Sequence, residues 1–429
     1  MGPTRDVVEA RHTPGGVAGA IRVPASKSLT QRALVAAALA GRGSTVRHPL
    51  DAEDSRLLFD ALRQAGFRLV WEGDAITAQG RDPVEGATLF LGNNGTGVRF
   101  LLAQLAALPG RWVVDGSERL RQRPVAPLVG ALRRLGARIR PVEGFEVALP
   151  LRVDGLPLRG GEVSLDASAS SQFVSALLLL GATLPEGLAV HLPAPPPSRP
   201  YVDLTAEVLA AFGAPPVRAE DDTAWTVRGG ALAPAQFSVE GDWSAAVFPL
   251  AAAAVAGGEV EVEGVRLDSR QGDAAVLGLL ARAGCQVRES SRGVMLRGPA
   301  TTPLHADLRD TPDLFPALSV VVAAAGGKLT GLAGLATKES DRLANMTRHL
   351  GTLGFAVEAG AGWFAGSGEA PRRRLGGDAL DPAADHRVAM ALAVAGCVIP
   401  GVRVLDPGCV GKSWPQFWAA WQGIVAAGS

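Results

Sequence analysis

The sequence predicts an α/β chain of six repeats, each of about 70 residues, shared between two domains. Three observations carry this expectation: the length of 429 residues, a helix-then-strand segment that recurs with glycine at its junction, and a second series of polar helix starts lying between the copies of the first. A prior of roughly 100–200 residues per domain gives two or three domains, and two is the simpler division. Hydrophobic residues make up 47% and charged residues 20%, so the chain has enough apolar side chain for large cores and is not compositionally disordered.

The first series reads ALRQAGFRLV, ALRRLGARIR, EVLAAFGAPPV, LLARAGCQVR and HLGTLGFAVE, with Gly66, Gly136, Gly213, Gly284 and Gly354 at the junctions. The intervals are 70, 77, 71 and 70, and a weaker sixth copy, FWAAWQGIV with Gly423, follows after 69. Glycine suits the position because a helix commonly ends in the left-handed conformation, which only glycine adopts cheaply. Any α/β protein ends some helices this way, but even spacing across a chain is the mark of repeats. The sixth copy has no following strand of its own. The stretch 16–23, GVAGAIRV, has strand character and is expected to complete that repeat, which makes one domain discontinuous.

The second series opens small-residue apolar runs: ASKSLTQRALVAAALA, NNGTGVRFLLAQLAAL, SASSQFVSALLLL, EGDWSAAVFPLAAAA, TPDLFPALSVVVAAA and ADHRVAMALAVAG. Lys27, Asn94, Ser170, Asp242, Asp313 and Asp385 mark them at intervals of 67, 76, 72, 71 and 72. Ser26, Thr96, Ser170 or Ser171, Asp242 and Asp385 can accept first-turn N–H groups, and Pro312 suits the first helical position. Lys27, Arg32, Arg99, His386 and Arg387 sit on or beside first turns, where a cation opposes the helix dipole. A bound anion accounts for that arrangement, and converging helix N-termini would hold one without a Walker loop.

Composition narrows the partners. The 42 basic and 42 acidic residues cancel, which excludes a broad basic face for nucleic acid. Cys285, Cys397 and Cys409 form no CxxC pair, so no zinc site or disulfide framework is expected and a reducing, cytoplasmic setting fits. The opening MGPTRDVVEARHTPGG lacks a signal-peptide core, and Asp6 stands where myristoylation needs Ser or Thr. Runs such as 173–180 and 388–399 fall short of the roughly 18 residues a membrane span requires. Asn94 and Asn345 begin N-x-T patterns that an intracellular chain would not have modified.

The strings PASKSLTQRA, LGNNGTGVR, RQRP, SASSQF, SRPYVD, EGDWSAA, TPDL, KESDR, DHRVAMA and GKSWPQF, in this order, resemble the 5-enolpyruvylshikimate-3-phosphate (EPSP) synthase family along essentially the whole chain. That resemblance implies two similar domains, 1–20 with 241–429 and 21–240. Each would be built of three βαβαββ-type repeats around parallel buried helices, the inside-out α/β barrel of the enolpyruvyl transferase fold, with the active site in a cleft that closes between them. It implies condensation of the 5-hydroxyl of shikimate 3-phosphate with phosphoenolpyruvate by addition and elimination, releasing phosphate. No metal or organic cofactor is implied. The partners are the two small-molecule substrates, with no nucleic acid or membrane, and the chain is expected to be a monomer.

Carried over residue by residue, the resemblance assigns Lys27, Ser28, Arg32, Ser170, Ser171, Gln172, Ser198, Tyr201, Asp313 and Lys338 to shikimate 3-phosphate. It assigns Lys27, Gly95, Arg123, Gln172, Arg342, Arg387 and Lys412 to phosphoenolpyruvate. Asp313 becomes the base toward the 5-hydroxyl and Glu339 the proton donor, with Lys27 and His386 also catalytic. Taken singly these residues have plainer readings: Asp313 as a helix cap, KESDR as a solvated charged turn, Gln172 and Tyr201 as satisfiers of buried polar groups. The chain departs from the family pattern at Asn94 (usually Ala), Ala384 (usually Asn), Ala25 (usually Gly), and Gly334 and Ala336, which precede KESDR.

Three rivals fare worse. The sister transferase acting on UDP-N-acetylglucosamine carries a reactive Cys in its first half, whereas here all three cysteines lie in the second. A P-loop fails because Asp406 stands where the first Walker glycine is needed before Gly411, Lys412 and Ser413. A non-catalytic relative would have little reason to keep Lys27, Asp313, Glu339 and Lys412 together.

Overall fold

The computed structural model describes residues 6–230, 232–371 and 379–426. Contacts divide the chain into two compact units, one of Met1–Pro24 with Glu240–Ser429 and one of Ala25–Val239. Each has its own apolar core.

Six inner helices organise the described residues: α1 (Lys27–Ala40), α2 (Gly95–Ala107), α3 (Gln172–Gly181), α4 (Trp243–Ala256), α5 (Phe315–Ala325) and α6 (His386–Val398). Apart from a few polar residues such as Gln31, Arg32, Arg99 and Gln104, their sequences are apolar or small on every side, and a helix of that kind is stable only when surrounded by protein. Helix α4 is buried continuously through its first three turns, and α5 and α6 are nearly as enclosed. The outer helices differ: Glu53–Gln64 buries Leu58, Phe59 and Leu62 on one face and leaves charge on the other. In the unit of Glu240–Ser429, α4, α5 and α6 pack pairwise; in the other, the outer helix Pro200–Ala211 lies against both α1 and α3.

Among the described residues, each of the five four-stranded sheets follows one plan, a parallel pair extended by an antiparallel hairpin. In the second, Gly86–Phe90 runs parallel to Gly110–Asp115, with α2 crossing between them, and Leu151–Gly155 and Arg138–Pro141 complete it. The sheets around α3 and α5 repeat this plan. At the two chain crossovers the plan is kept by a trade. Val17–Arg22, immediately before α1, pairs in parallel with Gly258–Glu263, after α4. Gln236–Ser238, shortly before α4, pairs in parallel with Thr45–Arg47, after α1.

This corrects the expectation for 16–23, which extends the fourth sheet and not the sixth. The last repeat is completed by Val7–Glu9, antiparallel to Arg403–Leu405, with Leu380 bridging Val404 on the other side. The strand character of 16–23 was local and readable, whereas its partner lies more than two hundred residues away.

Five junction glycines behave as expected. Gly66, Gly136, Gly213, Gly284 and Gly354 take φ of 94°, 97°, 85°, 97° and 92°, and each donates its N–H back into the last helical turn. Gly423 does not, because it lies inside Phe417–Val425 and ends nothing. Among the helix starts, Ser26, Asp242 and Asp385 cap as predicted, accepting from Leu29 N, Ser244 N and Arg387 N. Thr96 does not cap α2. Asn94, two residues earlier, accepts from Gly97 N, and Thr96 instead accepts from Gln172 Nε2 at 2.9 Å. At α3, Ser170 Oγ accepts from Gln172 N while Ser171 makes no capping bond.

Candidate active site

Within 25–239 the predicted residues gather at the starts of α1, α2 and α3. Lys27 opens α1 and is buried, its Nζ 3.1 Å from Asp54 Oδ2 in the first turn of Glu53–Gln64. One turn on, Arg32 crosses to the packed outer helix. Its Nε donates to Thr205 Oγ1 at 2.8 Å, Nη2 to the Tyr201 carbonyl at 2.9 Å, and Nη1 to the Ser28 carbonyl at 2.9 Å. Burial lowers its pKa to about 10. Ser28, Arg32 and Tyr201 are thus drawn together, and Ser198, held at φ 57°, accepts from Tyr201 N through its carbonyl.

The second grouping joins α2 and α3. Arg99 Nη1 donates to Gln172 Oε1 at 2.5 Å and to the Gly95 carbonyl at 3.2 Å, while Nη2 donates to the Pro124 carbonyl. Arg123 is nearly buried and donates to the Asn93 carbonyl at 3.2 Å. Its guanidinium lies directly over Gly95, where an added Cβ would fall 2.5 Å from Arg123 Cζ. A side chain there would displace the guanidinium, so contact with a cation favours glycine, whose φ is not in the left-handed region. Ser170 and Ser171 flank Gln172 at the start of α3.

The other unit holds the charged cluster. Arg342, fully buried at the start of Arg342–Thr352, is shared among three carboxylates. Nε donates to Asp385 Oδ2 at 2.8 Å, Nη1 to Asp313 Oδ1 at 2.8 Å, and Nη2 to Glu339 Oε2 at 2.7 Å. Asp385 also takes Ser340 Oγ at 3.0 Å while capping α6. Arg387, on the first turn of α6, reaches Asp313 Oδ2 at 3.0 Å, and Lys338 Nζ lies 3.9 Å from Asp313 Oδ1. His386 beside it is buried, as is Lys412 at the end of Pro407–Lys412. Ala384, where the family usually has Asn, takes a left-handed φ of 54° just before this cap.

Electrostatics follow from the geometry. Burial pushes the Asp313 carboxyl up, but Arg387, Lys338 and Arg342 outweigh it and hold the group well below the usual carboxylate range. Burial likewise disfavours charge on Arg342, and Asp385, Glu339 and Asp313 more than reverse it. Asp273 goes the other way: burial first, then the charge of Asp313, raises it to about 7 despite a hydrogen bond from Ser244. The cluster therefore offers a carboxylate kept ionised by removable cations, a second carboxyl within reach of the same arginine, and further basic groups for an incoming anion.

Sequence reasoning missed Asp54, Asp385 as a partner of Arg342, Arg99 as the holder of Gln172, and Asp273. Asp385 was read only as a cap, which it also is, and Arg99 only as a first-turn cation for an anion. The only available signal for Asp54 was a first-turn acid in DAEDS.

A family model described as EPSP synthase (3-phosphoshikimate 1-carboxyvinyltransferase) matches residues 12–421. The 3-phosphoshikimate 1-carboxyvinyltransferase of Syntrophobacter fumaroxidans is 40% identical over 425 residues, covering 95% of this chain and 97% of that protein. That of Methanosphaerula palustris is 39% identical over 419 residues, covering 95% and 96%. Among solved structures, an EPSP synthase from Acinetobacter baumannii superposes with a TM-score of 0.77 at 26% identity, covering 97% of each chain.

Proposed function

The chain belongs to the EPSP synthase family, and from that premise we propose how its residues divide the work of the reaction. It is a 3-phosphoshikimate 1-carboxyvinyltransferase of the enolpyruvyl transferase fold, moving the enolpyruvyl group of phosphoenolpyruvate to the 5-hydroxyl of shikimate 3-phosphate and releasing phosphate.

The observation that carries the assignment of roles is the sharing of Asp313 between Arg342 and Arg387. Both cations stabilise the Asp313 carboxylate, which makes it a weak base. When phosphoenolpyruvate draws Arg387 onto its own charges, the carboxylate loses part of that stabilisation and gains basicity toward the 5-hydroxyl. Glu339, tied to Arg342, delivers the proton to the methylene carbon, and His386 supports the transfer. Phosphoenolpyruvate is assigned to Lys27, Gly95, Arg123, Gln172, Arg342, Arg387 and Lys412. Ser28, Arg32, Ser170, Ser171, Ser198 and Tyr201 take shikimate 3-phosphate, which Lys27 and Gln172 also touch. Asp313 and Lys338 then face its 5-hydroxyl.

Among the described residues no helix is long and apolar enough to cross a membrane. The three cysteines are free, which supports a cytoplasmic setting, and the enzyme is read as a monomer acting on its two small substrates.

Phosphate release tests the reading. Purified protein is given phosphoenolpyruvate with shikimate 3-phosphate, then with UDP-N-acetylglucosamine. Release is expected in the first mixture only; release only in the second, or in neither, defeats it.

A further inference from the structure

We propose that Asn94 is a positioning residue for Lys27, fastening the start of α2 to the acid that holds this lysine; the proposal rests on the reading that Lys27 binds the substrate anions. Asn94 is buried, and both ends of its amide are used. Oδ1 accepts from Gly97 N at 2.8 Å, and Nδ2 donates to the Asp54 carbonyl at 2.8 Å. This pairing fixes the amide's orientation, since only the NH2 end can face a carbonyl. The side chain of the same Asp54 lies 3.1 Å from Lys27 Nζ. The path from Asn94 to Lys27 is therefore one hydrogen bond, one residue and one buried ion pair.

The other side of Asn94 leads to a second cation. Its neighbour Asn93 accepts from Arg123, and its neighbour Gly95 lies under the Arg123 guanidinium. One short segment thus sets the spacing between two groups assigned to the same anion.

The fit depends on Gly97. A Cβ there would fall 2.5 Å from Asn94 Nδ2 and 2.8 Å from Cγ, so any other residue would expel the amide. Its φ is not left-handed, so the glycine serves the fit of its neighbour and not the backbone. Asn94 and Gly97 form a matched pair.

A cap alone would require only Oδ1, and the variants separate the two functions. N94S keeps a capping oxygen but is too short to reach Asp54. N94A/G97A loses cap and link, while alanine at 97 returns helix propensity. G97A alone drives the amide out sterically. We expect N94S to stay folded with a midpoint lowered by the lost hydrogen bond, the KM for phosphoenolpyruvate raised on the order of tenfold and kcat little changed, the signature of lost binding common to ground and transition state. G97A should show the same rise, and N94A/G97A should regain stability relative to N94A without regaining KM. A wild-type KM in folded N94S, or a KM in N94A/G97A that recovers together with its midpoint, overturns the proposal. K27M is the control: if it keeps wild-type kcat/KM, the reading of Lys27 falls, whereas an inactive K27M beside an unaffected N94S condemns only the role of Asn94.

Discussion

Two aspartates in one cluster titrate in opposite directions, and each makes a prediction. Asp313 is held below the unfolded value by its cations, so its contribution to stability is present above roughly pH 4 and lost as pH falls through the native value. Replacing it by Asn should lower kcat about 10²–10⁴-fold while shikimate 3-phosphate still binds measurably by calorimetry; undiminished turnover would remove Asp313 from the chemistry. Asp273, raised to about 7, keeps a proton in the native state that the unfolded chain has released. Its favourable state is complete below roughly pH 4 and is lost as pH rises through about 7. D273N, a neutral stand-in, should match wild type near pH 4 and exceed it by on the order of 1–3 kcal/mol near pH 8 in urea unfolding. A difference that does not grow with pH would refute this. Lys27, Asp313, Glu339 and Arg387 could be singled out from the sequence because they stand in short, distinctive strings. The partners that govern them were not: Arg342 meets Asp385 from 43 residues away, a relation that belongs to packing and leaves no local trace.

At the scale of elements, junction glycines were the most legible feature, since a left-handed residue is a local requirement of the chain. Their environments, which were not legible, decide what each substitution does. At Gly136 an added methyl would find only Leu158 Cδ2 at 3.9 Å, so G136A should lose about 1–2 kcal/mol from backbone strain alone. At Gly66 the methyl would sit 2.3 Å from the Asp82 carbonyl oxygen, and G66A should lose roughly 3 kcal/mol or more. Denaturant midpoints compare the two; equal losses would mean that the surroundings of Gly66 give way. Gly423 shows the limit of such reading, because a helix-interior glycine and a helix-ending one look alike without the fold. Thr96 misled for a related reason: two residues of capping type stood near one helix start, and which one caps depends on the space above Gly97.

For the whole molecule, periodicity revealed the six repeats, but the exchange of strands at the crossovers is a matter of non-local pairing that no window of sequence contains. The segment Ala25–Val239 holds a complete set of partners for its three sheets and a core of its own. Expressed alone, it should fold and unfold cooperatively, as followed by circular dichroism in urea. Deleting 1–24 from the full chain should instead strip Val17–Arg22 and Val7–Glu9 from their sheets and add a separate, earlier unfolding step. A fragment without a cooperative transition, or a truncated chain that melts as wild type does, would contradict this division.

The traded strand also sets a timetable on the ribosome. Val17–Arg22 emerges early, yet its partner Gly258–Glu263 is made roughly 240 residues later, a delay of about 10–50 s at ordinary elongation rates. Throughout that interval the nascent chain carries an unpaired edge while Ala25–Val239 has time to fold behind it. The glycines at 16 and 19 make the waiting segment a poor template for other chains, and it joins a sheet only when its own late partner arrives.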